Sequence, residues 1–89
     1  MSSVYIRHRV ADFDAWKVAF DDHSTVRRDH GLADASLLRD DDDTSMVTIV
    51  LNTDDTARAR ELLASDDLRE TMQNAGVVSQ PEVWIASDA

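Results

Sequence analysis

Cysteine is absent from this 89-residue chain, proline occurs once and glycine twice. Without cysteine there can be no disulfide, thiolate nucleophile or Cys-ligated zinc or iron–sulfur centre. So little Gly and Pro argues against disorder and low complexity, and favours regular elements joined by short turns. Positive charge is also scarce: nine basic residues face eighteen acidic ones, a formal net charge of -9. Such a surface repels phosphate backbones and anionic lipids, so neither a nucleic acid nor a membrane is an expected partner. No apolar run is long enough to span a bilayer, and the start Met1-Ser2-Ser3-Val4 lacks the charged and apolar regions of a signal peptide. A cytoplasmic protein is the expectation.

The charge that is present is unevenly chosen, with fifteen Asp to three Glu, and eight Arg to one Lys, Lys17. A hydrated anionic shell of this kind speaks to solubility and habitat rather than to fold. Hydrophobic residues make up 43% of the chain, enough for one small core, so a single domain spanning residues 1–89 is expected.

Val4-Tyr5-Ile6-Arg7-His8-Arg9-Val10 alternates strictly, which predicts a strand with Val4, Ile6, His8 and Val10 on one face. Asp12 is placed to cap a helix running to about His30, ended by Gly31. Within that helix Phe13, Trp16, Phe20, His23, Arg27 and His30 recur at steps of three or four, a stripe that begins aromatic and turns polar. Ala33 to Arg39 reads as a second, weakly patterned strand. Asp40 to Asp43 reads as a solvated turn, because it lacks the ligand spacing and Gly bend of a calcium loop.

Ser45 to Asn52 is the clearest strand, with Val47, Ile49 and Leu51 on an apolar face and Met46, Thr48, Val50 and Asn52 on a mixed one. Thr53 or Asp54 is expected to cap the next helix through Leu62 and Leu63. Ser65 restarts a short one that ends at Gly76, and a last strand covers Glu82 to Ile85.

This order is a split βαβ arrangement: an α+β, ferredoxin-like fold with a four-stranded antiparallel sheet and helices on one face. The other face would carry Tyr5, Arg7, Arg9, Met46, Thr48, Val50, Glu82 and Trp84. It is too apolar in places for water and too charged for an interior. Two such faces packed together would bury it, with Arg7 or Arg9 pairing with Glu82 or another acid, so a homodimer is expected.

The chain resembles the dimeric α/β barrel superfamily, particularly its small stand-alone members grouped with the antibiotic biosynthesis monooxygenases. The resemblance runs from Val4-Tyr5-Ile6-Arg7-His8-Arg9-Val10 through Asp12-Phe13-Asp14-Ala15-Trp16-Lys17 to Ala64-Ser65-Asp66-Asp67-Leu68-Arg69-Glu70-Thr71-Met72 and Gly76-Val77. It implies a dimeric α/β barrel whose cavity lies between the helix layer and the sheet of each subunit. It also implies catalysis without a metal or flavin, because in such oxygenases a substrate carbanion itself passes an electron to oxygen. Heme-degrading members carry an Asn on the first strand, where this chain has His8, and a Trp and a His farther along; the stretch from Ala57 to Ala75 has neither.

Within such a cavity His8 and His23 are the candidate acid/base residues, since an imidazole can take a proton near neutral pH. Trp16 and Phe20 are candidate substrate-binding walls, although aromatic residues at helical spacing more often build core. Arg27 is a candidate partner for an acidic substrate group, or else part of a surface ion-pair cluster with Arg28 and Asp29. A metal centre on His8 and His23, with Asp22 or His30, is not expected, because no two histidines stand four apart.

Two functions follow. One is a small enzyme, a cofactor-independent monooxygenase-like protein or a cyclase or isomerase, acting on an aromatic or polyketide-like substrate. The alternative is a non-catalytic homodimer that holds a small hydrophobic ligand.

Overall fold

The computed structural model describes residues 1–89. The elements run β1 (Ser2–Arg9), α1 (Phe13–Asp22), α2 (Ser24–Asp29), β2 (Leu32–Arg39), β3 (Met46–Thr53), α3 (Thr56–Leu63), α4 (Asp66–Asn74) and β4 (Glu82–Ser87). The strands form one antiparallel sheet in the order β2-β3-β1-β4, with the two most regular strands at its centre. The architecture is therefore the α+β ferredoxin-like fold, with each of its two helical segments broken into a pair.

Alternation in β1 and β3 decides which face meets the helices. Val4 pairs with Leu51, Ile6 with Ile49 and His8 with Val47, and all six side chains are buried. Trp16, Leu32, Ala59 and Leu62 close the core over them. Each fully buried large apolar side chain contributes roughly 1.5–3 kcal/mol. Only 13 of the 89 residues are buried, so the chain relies on few such contributions.

The first helical segment is not continuous to His30. It breaks at His23, whose backbone sits at φ -90° and ψ 5°, close to the bridge region rather than the helix. The run Asp21-Asp22-His23-Ser24 is made of poor helix formers, which lowers the cost of the break. Asp12 does cap α1, its carboxylate accepting the N–H of Asp14 at 3.0 Å and of Ala15 at 3.4 Å. Gly31 follows α2 at φ 75°, a left-handed conformation that glycine adopts at least cost.

The cap of α3 differs from the expected Thr53 or Asp54. β3 extends through Thr53, which is buried, and the cap is Asp55, whose carboxylate accepts the N–H of Arg58 at 3.1 Å. Thr53 supports that cap by accepting the N–H of Asp55 on its hydroxyl at 3.0 Å. Ser65 caps α4 as expected, accepting the N–H of Leu68 at 3.1 Å.

β2 begins at Leu32, one residue before the expected start, and carries a bulge between Asp34 and Ser36. The extra residue, Ala35, shifts the alternation, so Asp34 pairs opposite Leu51 and Leu37 opposite Ile49, both on the helix side.

The face away from the helices carries Tyr5, Arg7, Met46, Thr48, Val50, Glu82 and Trp84, none of them buried. Tyr5 and Trp84 stack there, ring centroids 5.3 Å apart and 7° from parallel. The acids that meet the arginines are those of the aspartate turn rather than Glu82: Arg7 pairs with Asp40 at 2.6 Å and Arg9 with Asp43 at 2.8 Å. No helix is long and apolar enough to cross a membrane.

Candidate functional site

Between the helix layer and the sheet lies a cavity of about 60 Å³. Its floor is Ile6, His8, Ile49 and Leu51 from the central strands, with Leu32 from β2. One wall comes from α1 and α2, through Trp16, Ala19, Phe20, His23 and Arg27; the opposite wall comes from α3, α4 and the residue after it, through Leu62, Leu63, Leu68, Thr71, Met72 and Ala75. All five candidate residues, His8, Trp16, Phe20, His23 and Arg27, thus line one space.

His8 is there because β1 alternates: two residues beyond Ile6, its imidazole falls on the helix side, and it is 1% exposed. Its Nδ1 is sealed from solvent and makes no hydrogen bond of good geometry, although the residue's own backbone carbonyl lies close enough to act on the ring. Burial pushes its pKa below the ordinary histidine value, and its own backbone carbonyl opposes part of that. The ring is therefore neutral near pH 7.

A row of aromatic contacts leads away from it. Trp16 meets His8 edge-on at 5.6 Å between centroids and 72° between planes. One helical turn on, Phe20 stacks against Trp16 at 5.0 Å and 25°. Phe13, one turn earlier, touches Trp16 at 5.8 Å but does not line the cavity.

His23 stands at the joint between α1 and α2, where its backbone N–H is shared between the carbonyls of Ala19 at 3.2 Å and Phe20 at 3.3 Å. Its pKa is lowered, first by partial burial and then by the neighbouring charges of Arg27 and His30. His30 contributes no side chain to the cavity; its Nδ1 lies 2.9 Å from the carbonyl of Val26.

Arg27 does not form a surface cluster with Asp29. It is buried, and its guanidinium forks onto Asp34, Nε to Oδ1 at 2.9 Å and Nη2 to Oδ2 at 3.1 Å. Nη1 donates to the carbonyl of Phe20 at 2.7 Å, and the guanidinium carbon lies 3.7 Å from the centre of the Phe20 ring. Asp34 was not singled out in the sequence, since its contact with Arg27 depends on the bulge at Ala35. The contribution of α4 through Leu68 and Met72 was visible only as a helical apolar stripe.

An apolar, aromatic-walled cavity with a neutral imidazole on its floor and a paired cation in its wall has the lining of a site for a small organic molecule with a few polar groups, and its walls must part to admit a whole aromatic ring. No group of three or more His, Asp or Glu side chains is clustered to hold a metal ion.

The fold is that of the antibiotic biosynthesis monooxygenases. A structure from Bordetella bronchiseptica provisionally named as such superposes with a TM-score of 0.78 at 12% identity, over 99% of this chain and 96% of that one. SnoaB from Streptomyces nogalater, a cofactor-independent oxygenase, superposes with a TM-score of 0.71 at 16% identity, over 99% and 94% of the two chains. A provisionally named antibiotic biosynthesis monooxygenase from Nitrosomonas europaea gives 0.70 at 16% identity, over 99% and 98%. No family model and no curated protein matches the chain. The antibiotic biosynthesis monooxygenase fold is thus shared across essentially the whole length of each molecule.

Proposed function

We propose that this protein is a cofactor-independent, monooxygenase-like enzyme acting on an aromatic or polyketide-like substrate, with His8 as its base. The observation that carries this reading is the buried, unpartnered His8 imidazole beside the Trp16 and Phe20 wall. SnoaB, with the same fold, is a cofactor-independent oxygenase, which lends support to the choice of chemistry.

The substrate class is a planar aromatic with an acidic ring CH2 or hydroxyl. A neutral imidazole accepts the proton, leaving a carbanion stabilised over the rings. That anion passes one electron to dioxygen, and the resulting radical and superoxide combine into a C–O bond. The peroxide formed takes back the imidazolium proton. Loss of water then breaks the O–O bond and removes the second C–H proton, so that CH2 and O2 become C=O and H2O. Oily walls favour the steps in which charge is spread over the substrate, because they exclude competing water.

His23 is the second acid/base candidate, at the mouth side where its ring is only partly buried. Trp16 and Phe20 form the face along which the substrate lies, and Arg27 supplies the polar end of the wall. We further propose that two copies associate through the sheet face that carries Tyr5 and Trp84.

Oxygen uptake with an anthrone probe tests the reading. The intact protein is expected to consume one O2 per anthrone converted to anthraquinone. His8→Ala is expected to slow this by about 10²–10⁴-fold, the usual worth of a positioned base. Full turnover in His8→Ala would remove that residue's role. Tight binding with no uptake by the intact protein would favour the ligand-holding alternative.

A further inference from the structure

Arg27 is the only lysine or arginine among the residues that line the cavity. Its side chain is 7% exposed, while that of its partner Asp34 is 52% exposed. The negative member of the pair therefore sits in water, where its field is screened, and the positive member sits in an oily wall, where it is not.

A guanidinium has five N–H donors. Three are occupied: Nε and one on Nη2 by Asp34, and one on Nη1 by the Phe20 carbonyl. The second N–H on each of Nη1 and Nη2 has no acceptor in the protein. A bound oxygen that accepts from a guanidinium forms a short, charge-assisted bond, and an oxyanion gains most from it.

Contacts lead without a gap from this cation to the candidate base. The guanidinium lies on Phe20, Phe20 on Trp16, and Trp16 against His8. Arg27 and His8 are thus the two ends of one aromatic row. With a net charge of -9, the protein as a whole repels anions, so an anion held here must be recognised by a local, desolvated cation.

Resting on the reading of this cavity as a substrate site, we infer that Arg27 is an oxyanion anchor that sets which aromatics are accepted. The ligand class is a planar aromatic bearing a phenolate, enolate or carboxylate oxygen. That oxygen takes the free guanidinium N–H groups, the ring lies along Phe20 and Trp16, and the reacting carbon is delivered to the His8 end. A neutral aromatic amide of the same shape fills the walls and offers those donors only a neutral, weaker acceptor.

The test compares 2-naphthoate with 2-naphthamide, near-isosteric probes that differ in charge, by calorimetric binding at pH 7.5. The intact protein is expected to prefer the carboxylate by on the order of fivefold or more, the margin of a charge-assisted over a neutral bond. Arg27→Gln is expected to abolish that preference, the carboxylate losing more affinity than the amide, because only the charge-assisted bond depends on the guanidinium's charge. Asp34→Asn, which keeps the guanidinium and removes its counter-charge, is expected to raise the preference, and it carries the test if Arg27→Gln fails to fold.

Equal affinity for the two probes, no binding of 2-naphthoate at millimolar concentration, a preference that survives Arg27→Gln, or one that does not rise in Asp34→Asn would each overturn the anchor. These readouts need no turnover. A protein that shows the charge preference but no oxygen uptake keeps the anchor and loses the monooxygenase; the reverse pattern keeps the enzyme and loses the anchor.

Discussion

At the scale of single residues, His8 joins a functional asset to a stability cost. A buried polar atom without a partner costs about 1–3 kcal/mol, and Nδ1 of His8 is such an atom. His8→Leu, apolar and of similar size, is therefore expected to raise the urea midpoint, by an amount equivalent to about 1 kcal/mol after some loss of packing. A marked fall in midpoint would mean that the ring makes a compensating contact. The pH dependence has a definite sign. His8 and His23 both have folded pKa values below the ordinary value, so the unfolded chain binds protons that the folded one refuses. Stability is then level above about pH 6.5, falls as the pH drops below it, and levels again where the folded rings take up their own protons. Urea midpoints at pH 7.5, 6.5 and 5.5 are expected to follow that course, and the slope should lessen in His8→Leu. His8 was legible in the sequence because strict alternation leaves no doubt which side of β1 it occupies. Asp34 was not, because its meeting with Arg27 crosses the Gly31 turn and depends on a bulge that no spacing rule announces.

At the scale of elements, the caps decide where helices start, and most were legible from residue chemistry. Asp12 and Ser65 are short acceptors just ahead of apolar periodicity, and Gly31 and Gly76 both take positive φ, 75° and 90°. The start of α3 was not legible, since Thr53, Asp54 and Asp55 are all good capping residues by type. The choice falls to Asp55 because β3 pairs out to Thr53 and the Thr53 hydroxyl then holds the Asp55 N–H. Asp55→Ala is expected to cost about 1 kcal/mol in a urea or thermal melt, and Asp54→Ala less than about 0.5. Equal costs would return the cap to an open question between the two. The break at His23 escaped the periodicity argument for a different reason. Phe20, His23 and Arg27 keep helical phase across it, so the stripe reads as continuous although the backbone is not.

At the scale of the whole molecule, one sheet face has helices and the other has none. Leu38, Trp84 and their neighbours lie on the uncovered face, both exposed, and the aspartate turn folds back to neutralise Arg7 and Arg9 at its margin. Neutralised arginines are easier to bury than free ones, which favours a second copy as the cover. Sedimentation at micromolar concentration is expected to give a particle of two chains, and Trp84→Asp, which places a charge beside Tyr5 on the β4 edge of that face, to give one. A monomeric intact protein would overturn the association.

The Tyr5–Trp84 stack and the His8–Trp16 contact also divide the molecule optically. The chain has two tryptophans: Trp16 is 3% exposed beside the candidate base, and Trp84 is 45% exposed on the uncovered face. Replacing either by Phe leaves a single tryptophan in a known place, excited selectively over Tyr5 at the red edge of the band. Light from Trp16 alone would report what enters the cavity, and light from Trp84 alone what settles on the sheet, so that ligand capture and self-association can be followed separately in an unlabelled protein.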